Sequence, residues 1–507
     1  MHTRSHFFAS LFLVLILSSF MEPISAQGSD QSEKPNFLFI LADDLSYDAV
    51  RYLGNSQVMT PNIDKLAEEG ISFSHCFNQG SWSGAVCVAS RTMLITGQSV
   101  FRASENTAYI NSWARVKNKE NKEGILWGEV MQSAGYLTYM TGKWHNTDHA
   151  LLKGFDQAES IGAGMYETFD QQGSSKMAYG RPKETKWKPF KKKYTGHWSP
   201  KVKDLIYDEK GNKSMGKSYT VKKHTSQLYS DKAIDFLQTT AKNSTKPFFA
   251  YVSFNAPHDP RQSPRKFVKK YPAKKIVTPK NYLHQHPFDQ GDSRIRDEML
   301  APFPRTEAAV QLHLQEYYAI ITHMDRELGR ILKALEKSGK ANNTYVIFTA
   351  DHGLAVGQHG LMGKQNQYDH SVRVPFIIKG PRMEKGKNID ALVYMQNIYA
   401  TTCELAGVDV PESVEYPSVI SMINGDVQNG EEFIFGAYKD LQRMIRSKEY
   451  KLIVYPKVGE EQLFHLTKDP KEITNLAKDP EYKEIKADLY LALKIKQEEL
   501  GDYLKLD

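Results

Sequence analysis

Pro35-Asn-Phe-Leu-Phe-Ile-Leu-Ala-Asp43-Asp44 is an apolar run that ends in two adjacent carboxylates. Its hydrophobic residues do not alternate with polar ones, which suits a strand buried on both faces, as in a parallel sheet covered by helices. Functional sites in such sheets lie beyond the carboxyl ends of the strands. Two neighbouring carboxylates there repel each other unless something compensates. Either a hard, oxygen-preferring metal ion or an Asx turn closing the strand accounts for the pair.

The same form recurs three times. Tyr136-Leu-Thr-Tyr-Met-Thr-Gly142-Lys143-Trp144-His145 leaves a strand with a cation and an imidazole, Pro247 to Pro257 ends at His258, and Thr344 to Ala350 ends at Asp351-His352-Gly353. Singly, Lys143 reads as a solvated surface group and each histidine as a satisfied polar one. Four strands with such exits are more than turn chemistry requires. Thr60-Pro61 to Gly70 carries an N-cap, a proline at the first helical position and a closing glycine, and it leads into a second strand, Ile71 to Phe77. Tyr317, Ile320, Ile321, Met324, Leu328, Ile331, Leu332 and Leu335 fall at helical spacing, which predicts a long core helix with no cofactor implied. The glycine-rich loop from Gly357 to Gly363 leaves the Asp351 strand and ends at Lys364, which therefore reaches toward the same site.

Gly80-Ser-Trp-Ser-Gly-Ala-Val-Cys87-Val-Ala89-Ser90-Arg91-Thr-Met-Leu-Ile-Thr-Gly97 reads as a short helix stopped by Gly97. Cys87 then sits at a helix N-terminus, where free N–H groups favour an anion, and Arg91 lies one turn on. A small buried cysteine that happens to precede an arginine is the plainer reading of these positions taken alone.

The chain has 507 residues, 40% hydrophobic and 25% charged, which is ordinary for a folded protein with a sizeable core. Arg4 and His6, the apolar run Phe7 to Phe20 and the small-residue end at Ala26 predict a signal peptide over residues 1–26. The run is short of a bilayer span, so an exported protein, periplasmic or secreted, with no stable membrane anchor is expected. Three cysteines in an oxidising compartment leave Cys76 and Cys403 as a pair or as two buried thiols. The net charge of +7 favours an anionic extracellular polymer or small anion over nucleic acid.

Taken together, these motifs resemble the type I, formylglycine-dependent sulfatases of the alkaline phosphatase superfamily, and a bacterial polysaccharide sulfatase in particular. Cys87-Val-Ala89-Ser90-Arg91 matches the signature Cys/Ser-x-Pro/Ala-x-Arg. Asp43-Asp44, Gly142-Lys143-Trp144-His145, Pro257-His258, Asp351-His352-Gly353 and Gly363-Lys364 follow in the family's order. Arg443 to Tyr455 and Gln462 to Pro470 look like its small closing sheet. Ala89 stands where proline is commoner, as the radical-type maturation enzyme tolerates, and His352 stands where asparagine is frequent.

The resemblance implies an α/β fold: a large mixed sheet flanked by helices over residues 35–429, then a smaller antiparallel-sheet subdomain over 430–507. It implies conversion of Cys87 to formylglycine by a maturation enzyme, and a metal site of Asp43, Asp44, Cys87, Asp351 and His352. Mostly oxygen donors favour Ca²⁺ there, with Mg²⁺ as the alternative. Arg91 would hold the hydrated aldehyde and Lys143 and Lys364 the sulfate. His258 would protonate the leaving oxygen, and His145 would act as base in the second half of the reaction. The implied substrate is a sulfated carbohydrate, with ulvan or carrageenan favoured over a glycosaminoglycan. The lysine-rich run Arg181 to Lys223, with Trp187, Tyr194 and Trp198, and a second basic stretch, Arg261 to Lys280, would line the rim, their aromatic rings exposed to stack on sugars. The rivals are a phosphate mono- or diesterase of the same superfamily and an inactive polysaccharide-binding protein.

Overall fold

The computed structural model describes residues 34–506 apart from 118, 120, 165–187 and 293–294. The expected signal segment and Arg181, Lys186 and Trp187 of the lysine-rich run lie outside the described residues. The first strands are β1 (Asn36–Asp43), β2 (Ile71–Phe77), β3 (Gly80–Ser81), β4 (Leu137–Lys143), β5 (Gln157–Gly162) and β6 (Lys201–Lys203). There follow β7 (Leu205–Tyr207), β8 (Lys213–Met215), β9 (Tyr219–Thr220), β10 (Phe248–Pro257), β11 (Thr344–Ala350), β12 (Arg373–Lys379) and β13 (Lys387–Tyr394). The last four are β14 (Ile434–Tyr438), β15 (Gln442–Arg446), β16 (Tyr450–Tyr455) and β17 (Glu460–His465).

Among the described residues, the large sheet runs β13-β2-β12-β11-β1-β10-β4-β5-β6-β9. Its centre, β11-β1-β10-β4, is parallel, with Ala42 opposite Ala350 and Asp43 opposite Pro257. All eight residues of β1 are buried, as the unbroken apolar run predicts. β12 runs antiparallel to both its neighbours, so the sheet is mixed. The helix Glu307–Lys337 lies along this sheet and buries the predicted stripe, with Leu332 only half-buried.

A second sheet has the order β17-β16-β15-β14-β3, antiparallel except where β14 pairs parallel with β3. The helix Lys483–Leu500 packs on β15 and β16. The segment that enters this sheet as β3 lies just before the cysteine helix, and residues Pro35–Asp507 make one compact unit. No described helix is long and apolar enough to cross a membrane.

Thr60 occupies the predicted N-cap position of the helix Pro61–Glu68, but its hydroxyl does not cap it. The Thr60 hydroxyl donates instead to Asp64, and Asp325 of the long helix accepts from the Asn62 and Ile63 N–H groups at 3.0 and 2.8 Å. A carboxylate from a neighbouring element thus meets donors that the local sequence leaves open. The three cysteines are free and buried, so Cys76 in β2 and Cys403 in the helix Asn397–Ala406 are two separate thiols.

Candidate active site

Four adjacent central strands deliver the site at their carboxyl ends. β1 ends at Asp43 and Asp44, β4 at Lys143, and β10 and β11 lead into His258 and Asp351. Asp44 and His145 leave their strands with φ of 68° and 70°, a left-handed backbone that costs non-glycine residues energy and concentrates at functional sites. Gly142 has φ 106°, and a Cβ there would meet the Ser253 carbonyl oxygen at 1.8 Å, so only glycine lets β4 approach β10 and present Lys143.

Cys87 enters from the other side, on the first turn of the helix Val86–Thr96, which ends at Gly97 in the left-handed conformation as predicted. Its thiol donates to Asp43 Oδ1 at 3.3 Å, and Lys364 Nζ donates to its Sγ at 2.9 Å. The ligand atoms of Asp43, Asp44, Cys87 and Asp351 all lie within 4.8 Å of one another, and those of Asp44, Cys87 and His258 form an overlapping group. Four of the five expected metal residues therefore converge. His352 does not join that group. It is buried beside the site with its Nδ1 engaged by the Gly353 carbonyl oxygen at 2.7 Å.

Three cations meet the three carboxylates. Lys143 Nζ lies 2.5 Å from Asp43, Lys364 Nζ 2.5 Å from Asp44, and Arg91 Nε 2.9 Å from Asp351. Burial pushes Asp43 up to about 8, reinforced by Asp351 and opposed by Lys143. Burial also raises Asp44, more than Lys364 lowers it. Against burial, Arg91, Lys143 and Lys364 hold Asp351 at about 2. With all six groups ionised the charges sum to zero, so a divalent cation followed by an anion would add little excess charge. Three carboxylates form a hard donor set that fits Ca²⁺ or Mg²⁺ better than zinc. Burial and Asp43 keep the Cys87 thiol protonated well above the ordinary thiol range, a poor state for a sulfur nucleophile.

His258 Nδ1 donates to the Asp259 carbonyl oxygen at 2.7 Å, leaving Nε2 facing Asp44 at 3.6 Å. His145, Cys87, His258 and Lys364 share the wall of a cavity of about 370 Å³. Trp113, Tyr438 and the ion pair Asp292–Lys439, at 3.0 Å, also line it. Burial, then Lys143 and Arg91, holds the His145 imidazole well below its usual value.

Sequence reasoning missed the groups that hold these side chains. Arg91 donates to the Lys143 carbonyl oxygen and to Ser253 Oγ at 2.7 and 2.8 Å, and Ser90 and Asn78 donate to the Asp351 carbonyl oxygen. Tyr317 donates to the Asp44 carbonyl oxygen at 2.8 Å and accepts from Ser46 N–H, so the helix read as pure core also braces the Asp44 turn. His197, inside the lysine-rich run, contacts the His258 carbonyl oxygen through Nε2 at 3.0 Å. The one sequence signal was a serine, Ser253, in the otherwise apolar stretch Phe248 to Phe254.

Two expectations about the rim change. Tyr194 and Trp198 are buried, each 7% exposed, because their rings fold the insertion down, with Trp198 packing edge-on against His224 at 5.0 Å. Arg261, at the start of the second basic stretch, is buried over the Tyr317 ring. Lys188, Lys191, Lys192 and Lys193 are exposed, and none of them is among the residues lining the cavity.

The profile of the sulfatase family matches residues 35–408, and that of the N-sulphoglucosamine sulphohydrolase C-terminal region matches residues 357–499. An arylsulfatase of Clostridium perfringens is 30% identical, covering 89% of this chain and 92% of its own. An ulvan-active sulfatase of Formosa agariphila is 28% identical over 95% of this chain and 84% of its own. Among solved structures, a protein in complex with its substrate D-glucosamine-2-N,6-O-disulfate superposes with a TM-score of 0.70 at 21% identity, covering 93% of this chain and 99% of that one. A phosphonate monoester hydrolase of Agrobacterium radiobacter superposes at 0.64 and 21% identity, covering 91% and 96%. At such identities the superpositions establish the fold alone, and the reaction has to be argued from the site.

Proposed function

Because this chain belongs to the sulfatase family and is a sulfuric ester hydrolase, we propose that it desulfates a sulfated carbohydrate with Cys87, converted to formylglycine, as nucleophile. Ca²⁺ held by Asp43, Asp44, Asp351 and the modified residue 87, with His352 as a further ligand, is its metal, with Mg²⁺ the alternative. The observation that carries this reading is that Cys87, Lys364, His145 and His258 line one cavity while Asp43, Asp44 and Asp351, paired with Lys143, Lys364 and Arg91, cluster at Cys87.

A hydrated aldehyde supplies the hydroxyl nucleophile that a protonated thiol does not. A bound Ca²⁺ supplies positive charge where a sulfate ester gathers negative charge. The chain's own residues do the rest. Lys143 and Lys364 place ammonium groups beside the sulfate, and Arg91, braced by Ser253 and Asp351, orients residue 87. His258, with Nδ1 already donating to the Asp259 carbonyl oxygen, uses Nε2 to give a proton to the leaving sugar oxygen. His145, kept neutral by burial and by Lys143, accepts the proton that frees the enzyme for the next turnover.

Residues 35–429 are the catalytic part and 430–507 a subdomain that closes it. The protein is exported and acts on polysaccharide outside the cytoplasm, and it meets a formylglycine maturation enzyme on the way. Ulvan or carrageenan is the favoured polymer.

Mass spectrometry of the Cys87 peptide from the native host should find the aldehyde. Cys87→Ala should abolish sulfate release, and chelation should do so reversibly, with Ca²⁺ restoring more activity than Zn²⁺. An unmodified thiol in a fully active enzyme would refute the nucleophile. Stoichiometric zinc would refute the metal, and turnover of phosphate esters alone would refute the reaction.

A further inference from the structure

Trp113 is 63% exposed, unusual for so large a ring, and it stands at the mouth of the reaction cavity with its ring 5.7 Å from that of His145. Its short turn, Ser112–Ala114, is pinned on three sides. Trp82 donates to the Ala114 carbonyl oxygen, Arg115 to that of Ile110, and Asn111 to that of His145, at 3.0, 2.9 and 2.9 Å. On the other side of Trp113 and His145 lies a second cavity, of about 490 Å³. Both cavities are lined by those two residues, so they make one groove with the indole between its halves. Asn111, Asn146 and Lys201 line the second half, as do Lys203 and Asp148, which pair at 2.5 Å.

We propose that this second cavity is a subsite for the sugar unit next to the sulfated one, with Trp113 as its stacking platform, so that the enzyme selects oligosaccharides over monosaccharides. The proposal rests on the carbohydrate sulfatase reading above and adds the length of chain the site recognises. The volume suits one further sugar residue, and an exposed indole on a pinned turn gives apolar contact area with few torsions to immobilise. Its polar neighbours, Asn111 and Asn146 among them, meet hydroxyl groups. The stacking ring is thus supplied by this turn, where the sequence pointed to the buried Tyr194 and Trp198.

The test compares matched sulfated monosaccharides and tetrasaccharides from ulvan, carrageenan and heparan sulfate. In the wild type, kcat/KM should be about tenfold or more higher for the tetrasaccharide of the preferred series. Trp113→Ala should bring the ratio close to one, mainly through KM, and Trp113→Phe should restore part of it. Calorimetric binding of the same pairs to the Cys87→Ala protein reads the subsite without turnover, and adding Trp113→Ala should weaken tetrasaccharide binding about tenfold more than monosaccharide binding. Tetrasaccharide binding without turnover in the wild type would refute the sulfatase reading and leave the subsite standing. Ratios that Trp113→Ala does not move, in turnover and in binding, would overturn the subsite.

Discussion

His197 shows how a single side chain outside the motifs can govern the reaction. Its imidazole bridges Thr225 Oγ1, at 2.6 Å, and the His258 carbonyl oxygen, so it fixes the backbone from which the proposed acid reaches the substrate. A displacement of about 1 Å at a reacting group can cost on the order of 100-fold. His197→Ala should therefore lower kcat by roughly 10- to 100-fold with KM nearly constant, since the sulfate's own contacts are untouched. A merely structural role would lower the melting temperature and the amount of active enzyme while leaving kcat per active site unchanged. His197→Asn, which retains a donor, should recover part of the rate.

At the scale of elements, the Asp44 turn is held by a helix that the chain reaches only at Glu307. Tyr317→Phe removes one hydroxyl and leaves Ser46 N–H and the Asp44 carbonyl oxygen without it, in a buried place. The expected loss is about 1–3 kcal/mol in urea unfolding, together with weaker Ca²⁺ affinity by calorimetry. Unchanged metal affinity would show that the turn holds its shape unaided. What was legible at this scale follows from local physics. β1 declared itself by an apolar run without alternation, the cysteine helix by Gly97, and the site by polar residues at four strand exits. What was hidden depended on partners far away in sequence. β3 is two residues long and has no period of its own, and the Pro61–Glu68 helix takes its cap from Asp325. Tyr194 and Trp198 looked like surface rings because their neighbours are lysines, yet burying an aromatic ring outweighs such neighbours, while Trp113 shows that apolar character alone does not mark a buried position. His352 took a ligand role by correspondence, and a hydrogen bond of its Nδ1 to the adjacent carbonyl oxygen orients the ring without excluding ligation through Nε2.

Across the whole molecule, a buried ionic cluster ties the two sheets together. Asp369, just before β12, lies 2.8 Å from Arg446 of β15 and 2.5 Å from Lys451 of β16, and Lys451 also reaches Glu472 at 2.5 Å. Against burial, Arg446, Lys451 and Arg373 hold the Asp369 carboxyl far below the usual carboxylate range, while burial shifts Glu472 upward. A depressed folded-state pKa stabilises above the unfolded value, near 4, and that contribution fades as pH falls below it. Asp369→Asn should therefore cost about 3 kcal/mol at neutral pH, and the gap to wild type should narrow below about pH 4 in denaturant titrations. A gap constant from pH 7 to pH 3 would rule out this linkage. The pairing of β3 with β14 gives these contacts an order in time. The ribosome makes Gly80 and Ser81 long before Ile434–Tyr438, so on the nascent chain the stretch leading to Cys87 has no sheet to join. Under the proposed conversion of Cys87, the peptide is open to modification until the C-terminal strands arrive, and the pairing of β14 with β3 then draws the stretch before Cys87 into a sheet.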